Sequence, residues 1–167
     1  LATDYGIGVL YDLDIPYFEN YYSDGYSYVL NYGNNTFYLF GNDGNLYVRE
    51  EGFEEPWDLS KPISSSYSIG NVNKAIKRDD GSIWIGSDNG LYVLDDSNLI
   101  IYFEGQDVRD VLEDSFDRVW VCLGNNGCSV TSNKINQTEY EWIDFGEPEG
   151  LFGEVNAICE KYGIRYE

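Results

Sequence analysis

Thirty aspartate and glutamate residues stand in this sequence against ten lysines and arginines, and there is no histidine. Without imidazole there is no Ser-His-Asp relay, no histidine metal ligand and no imidazole acid or base near neutral pH. A polysaccharide lyase with a histidine base is excluded on the same ground. Carboxylates remain. A pair of them could hydrolyse a glycosidic bond, and a cluster could collect calcium. Many of the acids, however, sit in turn sequences: Asp79 and Asp80 ahead of Gly81, Asp43 ahead of Gly44, Asp88 ahead of Asn89. Such residues favour turns because their side chains bond nearby backbone and they tolerate left-handed conformations. The DDSN run at 95–98 lacks the alternating acids and distal glutamate of an EF-hand loop. No catalytic residue, metal ligand set or cofactor is expected.

The three cysteines are Cys122, Cys128 and Cys159. They lack a C-x-x-C spacing, and an odd number is not a disulfide framework. Cys122 and Cys128 flank a turn and could face each other across a hairpin, although two packed free thiols are the plainer expectation. No phosphate loop or dinucleotide fingerprint occurs. Two Asn-x-Thr sequons, at Asn34 and Asn136, would matter only in a eukaryotic secreted protein.

The formal net charge of −20 argues against nucleic acid, whose phosphates must be met by Lys and Arg, and against contact with anionic membranes. The acid excess serves solubility or a cation or sugar site. No apolar stretch approaches the ~18–20 residues that span a bilayer, and no signal peptide is present. A length of 167 residues suits one domain, and 43% hydrophobic with 17% aromatic residues can fill a core. With no methionine at all, the chain is expected to be a piece of a longer protein.

The elements that must position these side chains come from an internal repeat. Residues 72–84, VNKAIKRDDGSIW, lie over residues 108–120, VRDVLEDSFDRVW, without a gap and 36 positions apart. After each Trp come a short strand and an Asn/Gly turn. Weaker copies place Tyr38 and Tyr166 in the Trp position, and residues 1–14 match the stretch that follows Trp84. The chain therefore covers four periods. Each carries strand signals: apolar alternation, hairpin turns of the type SDNG, GNDG and GNNG, and a closing aromatic strand such as YFENYY, LIIYF or YEWIDF. Four short strands per ~40 residues is the pattern of a β-propeller blade. The fold expected is all-β: propeller blades of four antiparallel strands, about four repeats of a larger propeller. Residues 1–24 end one blade; 25–66, 67–107 and 108–150 are blades; 151–167 begin the next with its inner strand. Tyr38, Trp84, Trp120 and Tyr166 are expected in the core between blades.

The phrase VNKAIKRDDGSIWIGSDNGLYVLD at 72–95 resembles the two-component regulator propeller repeat, as does GEPEGLFGEVNAICEKYG at 146–163. Tyr38 and Tyr166 depart from the usual Trp, and Arg165 from the usual apolar residue before it. The resemblance implies a seven-bladed propeller in the periplasmic or extracellular part of a membrane-anchored bacterial sensor of hybrid two-component type. It also implies a carbohydrate signal, with a histidine kinase or diguanylate cyclase elsewhere in the parent protein.

In a propeller, the loops between second and third strands and those joining blades fall on one face. Here they bring Tyr5, Asp88, Asn89, Asn125, Asn126, Glu147, Glu149 and Phe152 to a common rim, where aromatic faces and hydrogen-bonding groups suit an oligosaccharide. Each is also an ordinary turn residue. Three functions compete: a ligand-sensing or signal-transmitting region, a scaffold that makes the receptor a homodimer, and, last, a polysaccharide-active propeller enzyme.

Overall fold

The computed structural model describes residues 2–3, 6–10, 18–22, 25–33, 36–42, 44–50, 62–64, 69–95, 98–134 and 139–160. They form four antiparallel sheets, each a meander in chain order. The first has three strands, β1 (Ala2–Thr3), β2 (Gly6–Leu10) and β3 (Phe18–Tyr22). The second has β4 (Tyr26–Gly33), β5 (Thr36–Gly41), β6 (Leu46–Glu50) and β7 (Pro62–Ser64). The third has β8 (Val72–Lys77), β9 (Ile83–Ser87), β10 (Gly90–Asp95) and β11 (Asn98–Tyr102). The fourth has β12 (Asp110–Glu113), β13 (Val119–Cys122), β14 (Cys128–Lys134) and β15 (Tyr140–Phe145). This is the all-β, four-stranded blade architecture that the repeat implied. Among the described residues the one helical element is a single 3-10 turn, Glu147–Glu149.

The sheets meet through their first strands. β4 contacts β8, and β8 and β9 contact β12. Successive side chains of a strand point to opposite faces, so a middle sheet buries both sets. In β9, Ile83 and Ile85 join Phe40 and Leu46 of the second sheet with Val72, Ala75, Tyr92 and Leu94 of their own. Trp84, between them, turns the other way. It joins Leu91 and Val93 against Val111, Val119 and Val121 of the fourth sheet, with Val108 and Leu123 beside its strands. Every residue of β9 is buried in consequence. Fully burying side chains of this size stabilises by roughly 1.5–3 kcal/mol each before conformational entropy is counted.

Two glycines, one in a strand and one in a turn, stand where a side chain would not fit. Gly86, on β9, lies tight against Val108 and Val111: a Cβ there would lie 2.8 Å from Val108 Cγ1 and 3.0 Å from Val111 Cγ2. Gly127 closes the β13–β14 hairpin at φ +81°, and a Cβ there would fall on the carbonyl oxygen of Phe145.

Candidate functional site

Asp88 and Asn89 form the β9–β10 turn; Asn125 and Asn126 form the β13–β14 turn. In an antiparallel meander these turns lie at the same end as the segments that join sheets, and hydrogen bonds tie the two kinds of loop together. Asp88 accepts from the backbone N–H of Asn71 at 3.0 Å and from its Nδ2 at 2.9 Å, on the segment entering β8. Asn126 Nδ2 donates to Gln106 Oε1 at 2.9 Å, on the segment entering β12. The segment that leaves β15 is tied to the same end: Val155 N–H donates to the Gly124 carbonyl at 2.9 Å.

Several of the rim residues spend their polar atoms on the fold. Asp88 holds Asn71. Asn89 Nδ2 donates to Tyr92 Oη at 2.9 Å, and its carbonyl accepts from Gly105 N–H. Glu149 caps its own turn, accepting from Gly146 N–H at 2.8 Å. Asn125, Glu147 and Phe152 face outward instead, with Phe152 78% exposed. The side chains of Asn125 and Glu147 make no hydrogen bond among the described residues. Tyr5 lies outside the described residues. The rim is thus a built edge with three outward groups, one of them an aromatic ring.

Arg109 anchors this edge and was not singled out by sequence. Its guanidinium donates to Asp107 Oδ2 at 2.8 Å, to Glu154 Oε2 at 2.7 Å and to Asn156 Oδ1. Its position just after Val108, the first apolar residue of the repeat, was the available signal: the other copy has Asn73 there, and Asn73 Nδ2 also reaches the next segment, at Asp107 Oδ1 and the Val108 carbonyl.

Of the residues in the Trp position, Trp84 and Tyr38 sit between sheets, whereas Trp120 lies on the face of the fourth sheet turned away from the third. Trp84 is wholly buried, 5.1 Å from the ring of Tyr140 and 6.3 Å from Trp142. Tyr38 is half-buried and packs on the cluster between the second and third sheets, 5.2 Å from Tyr32. Trp120 is half-buried and stacks on Phe145 at 5.6 Å. Tyr166 lies outside the described residues.

A concavity of about 290 Å³ opens at the opposite end, between the β8–β9 and β12–β13 turns. Arg78, Asp80, Phe116, Asp117, Arg118, Thr131, Ser132 and Tyr140 line it. Both arginines are engaged: Arg78 Nε meets Glu113 at 2.6 Å, and Arg118 Nη2 meets Asp114 at 2.6 Å. The hollow is therefore polar without being a free cationic site. Sequence reasoning looked only to the other end and missed it. The visible signal was an arginine in each turn ahead of a repeat Trp, Arg78 and Arg118. No cluster of three or more His, Cys, Asp or Glu residues able to hold a metal occurs among the described residues.

No protein-family model matches the chain, and no curated protein sequence does. Among solved structures, the chain resembles the extracellular domain of a B. thetaiotaomicron protein described as a hybrid two-component system, BT3049. The TM-score is 0.61 at 18% identity, over 85% of this chain and 19% of that one. The chain thus spans about a fifth of that domain's length. At this identity the likeness is one of fold, and it is to an extracellular domain that these stacked four-stranded sheets are similar.

Proposed function

We propose that this chain is a ligand-sensing or signal-transmitting stretch of the extracytoplasmic propeller of a bacterial hybrid two-component sensor. The observation that carries the reading is the fold likeness to the BT3049 extracellular domain over 85% of the chain. The repeat phrase at 72–95 supports it independently. The remaining blades of a seven-bladed propeller, the membrane anchor and the output module belong to the parent protein in this reading. The ligand is a carbohydrate, bound without a cofactor at the rim where Asn125, Glu147 and Phe152 face outward: an exposed aromatic ring and exposed hydrogen-bonding groups suit a sugar's faces and hydroxyls.

Thermal shift of the intact ectodomain against a panel of oligosaccharides tests the proposal. A ligand that binds only the folded state stabilises by about 2.7 kcal/mol at a hundredfold excess over its Kd. One glycan class is expected to raise the melting temperature, and Asn125→Ala with Phe152→Ala to remove that response while leaving the unliganded melt in place. A response to peptides and to no glycan would sink the carbohydrate reading.

A further inference from the structure

Cys122 on β13 lies directly opposite Cys128 on β14. The Cys122 carbonyl accepts from Arg109 N–H at 2.9 Å, on the β12 side, while the next residue, Leu123, turns its N–H to the Gly127 carbonyl at 2.8 Å, on the β14 side. Cys122 therefore belongs to a non-hydrogen-bonded pair with Cys128. Such pairs are the closer of the two antiparallel kinds, with Cα atoms about 4.5 Å apart and both side chains on one face. That separation lies inside the roughly 4.4–6.8 Å that a disulfide spans. Strand parity puts the two thiols on the face that carries Trp120, away from the cluster shared with the third sheet. Both are free here, at 0% and 8% exposure, whereas Cys159 is exposed.

We propose that Cys122 and Cys128 are an oxidative modification site, a cross-strand disulfide that closes the β13–β14 hairpin and fixes the turn bearing Asn125 and Asn126. The oxidant is a small-molecule or protein disulfide. One cysteine thiolate attacks it, expelling a thiol and leaving a mixed disulfide. The second thiolate attacks the protein sulfur of that mixed disulfide and expels the other half. One S–S bond forms in the chain at the expense of two S–H bonds, and the oxidant leaves as two thiols. Burial, with Asp110 and Cys128 nearby, pushes the Cys122 thiol up to about 12, and burial raises that of Cys128 as well. Thiolate is scarce once the face has closed, so the bond forms during folding rather than after it. The inference concerns the hairpin alone and stands whether or not the rim binds a sugar.

Peptide mapping reads it directly, because cleavage after Arg118 and Lys134 releases residues 119–134 with both cysteines and leaves Cys159 in a different fragment. The chain is refolded in a mixture of reduced and oxidised glutathione, checked for β structure by circular dichroism, denatured, alkylated and digested. A parallel sample is secreted directly into an oxidising compartment. The 119–134 fragment is expected without alkyl groups and about 2 Da lighter than its reduced form, taking up two alkyl groups only after a reductant. Cys159→Ser should leave that result unchanged. A folded chain whose 119–134 fragment is doubly alkylated without reductant in both samples overturns the proposal, as does one linked instead to Cys159 or capped by glutathione on each cysteine.

Discussion

Trp120 hangs its indole on Asp114: Nε1–H donates to Oδ2 at 2.9 Å. The gapless repeat solves the same problem differently at Trp84, whose Nε1–H donates to Ser82 Oγ at 3.0 Å while that hydroxyl donates to Asp80 at 2.6 Å. In both copies an acid of the turn between first and second strands fixes the polar edge of the ring, directly at Trp120 and through Ser82 at Trp84. A large ring packed into a core usually finds a partner for its N–H; among the described residues Trp142, whose Nε1 is buried without one, is the exception. The acids of these turns are therefore part of the core's construction, which accounts for one portion of the acid excess without invoking a ligand.

Asp114 gives a pH prediction. Burial alone would raise its carboxyl, but hydrogen bonds from Arg118 and Trp120, with the backbone N–H groups of Arg118 and Phe116, hold it down at about 2. A carboxyl lower in the folded than in the unfolded state adds stability above its ordinary range and loses it as pH falls through the folded value. The contribution is about 2 kcal/mol. Asp114→Asn should lower the melting temperature at pH 7 by about 4–8 °C, and the gap to wild type should shrink as pH drops from about 4 towards 2. Thermal melts across that range check it; a gap independent of pH would show that shape rather than charge is at stake.

The two Trp positions should differ in cost. Trp84 touches both neighbouring strands and the rings of the fourth sheet, and is wholly buried. Trp84→Ala should cost about 3–5 kcal/mol in urea unfolding. Trp120 is half-buried, and its alanine variant should cost distinctly less. Trp84→Phe keeps most of the apolar volume but removes the N–H that Ser82 Oγ accepts, leaving that hydroxyl its bond to Asp80, and should cost about 1–2 kcal/mol. Equal losses at the two positions would contradict the packing described.

How much of this was legible in the residues follows from what each signal depends on. The blade pattern was readable because turn chemistry and period-2 alternation are local: SDNG dictates the β9–β10 hairpin by itself, and the 36-residue copy places Trp84 and Trp120 in equivalent strands. Strand β7, Pro62–Ser64, was not, because three residues without an aromatic carry no alternation to see. At the candidate site, the turns were found but not what their atoms do. Asp88 answers to Asn71, seventeen residues away, and Arg109 to Glu154, forty-five away. Such pairings depend on how successive sheets stack, which no single repeat encodes. The hollow around Arg78 and Tyr140 was missed for the same reason, since its walls come from two sheets.

Two glycines separate backbone strain from collision. Gly33 sits at φ +93° with nothing near the place of a Cβ, while Gly127 at +81° would drive one into the Phe145 carbonyl. Gly33→Ala should cost about 1 kcal/mol, the price of a left-handed residue. Gly127→Ala carries that cost plus a clash with backbone that cannot rotate away, and should lose about 3 kcal/mol or more. Chemical unfolding of the two variants side by side tests the comparison, and similar losses would count against the tight β13–β14 hairpin.

Arg78 joins the third and fourth sheets across the hollow. Its Nε donates to Glu113 at 2.6 Å, Nη1 to Tyr140 Oη at 3.3 Å and Nη2 to the Asp117 carbonyl at 3.0 Å, and the guanidinium lies 5.6 Å from the Trp84 ring. Its side chain is only 10% exposed and that of Glu113 only 25%. Removing the arginine leaves a carboxylate with little water to replace it, so Arg78→Ala should cost about 3 kcal/mol. Lysine cannot reproduce three bonds in a planar fork, and Arg78→Lys should recover only part of that loss. A double-mutant cycle of Arg78→Ala with Glu113→Ala should give a coupling of about 1–3 kcal/mol. Repeating the cycle at high salt decides its nature. The Debye length falls to about 3 Å at 1 M, which erases coupling between exposed charges but leaves a shielded pair largely intact. Persistence of the coupling is the expected result, and its collapse in salt would mean that Arg78 is held at the surface rather than between the sheets.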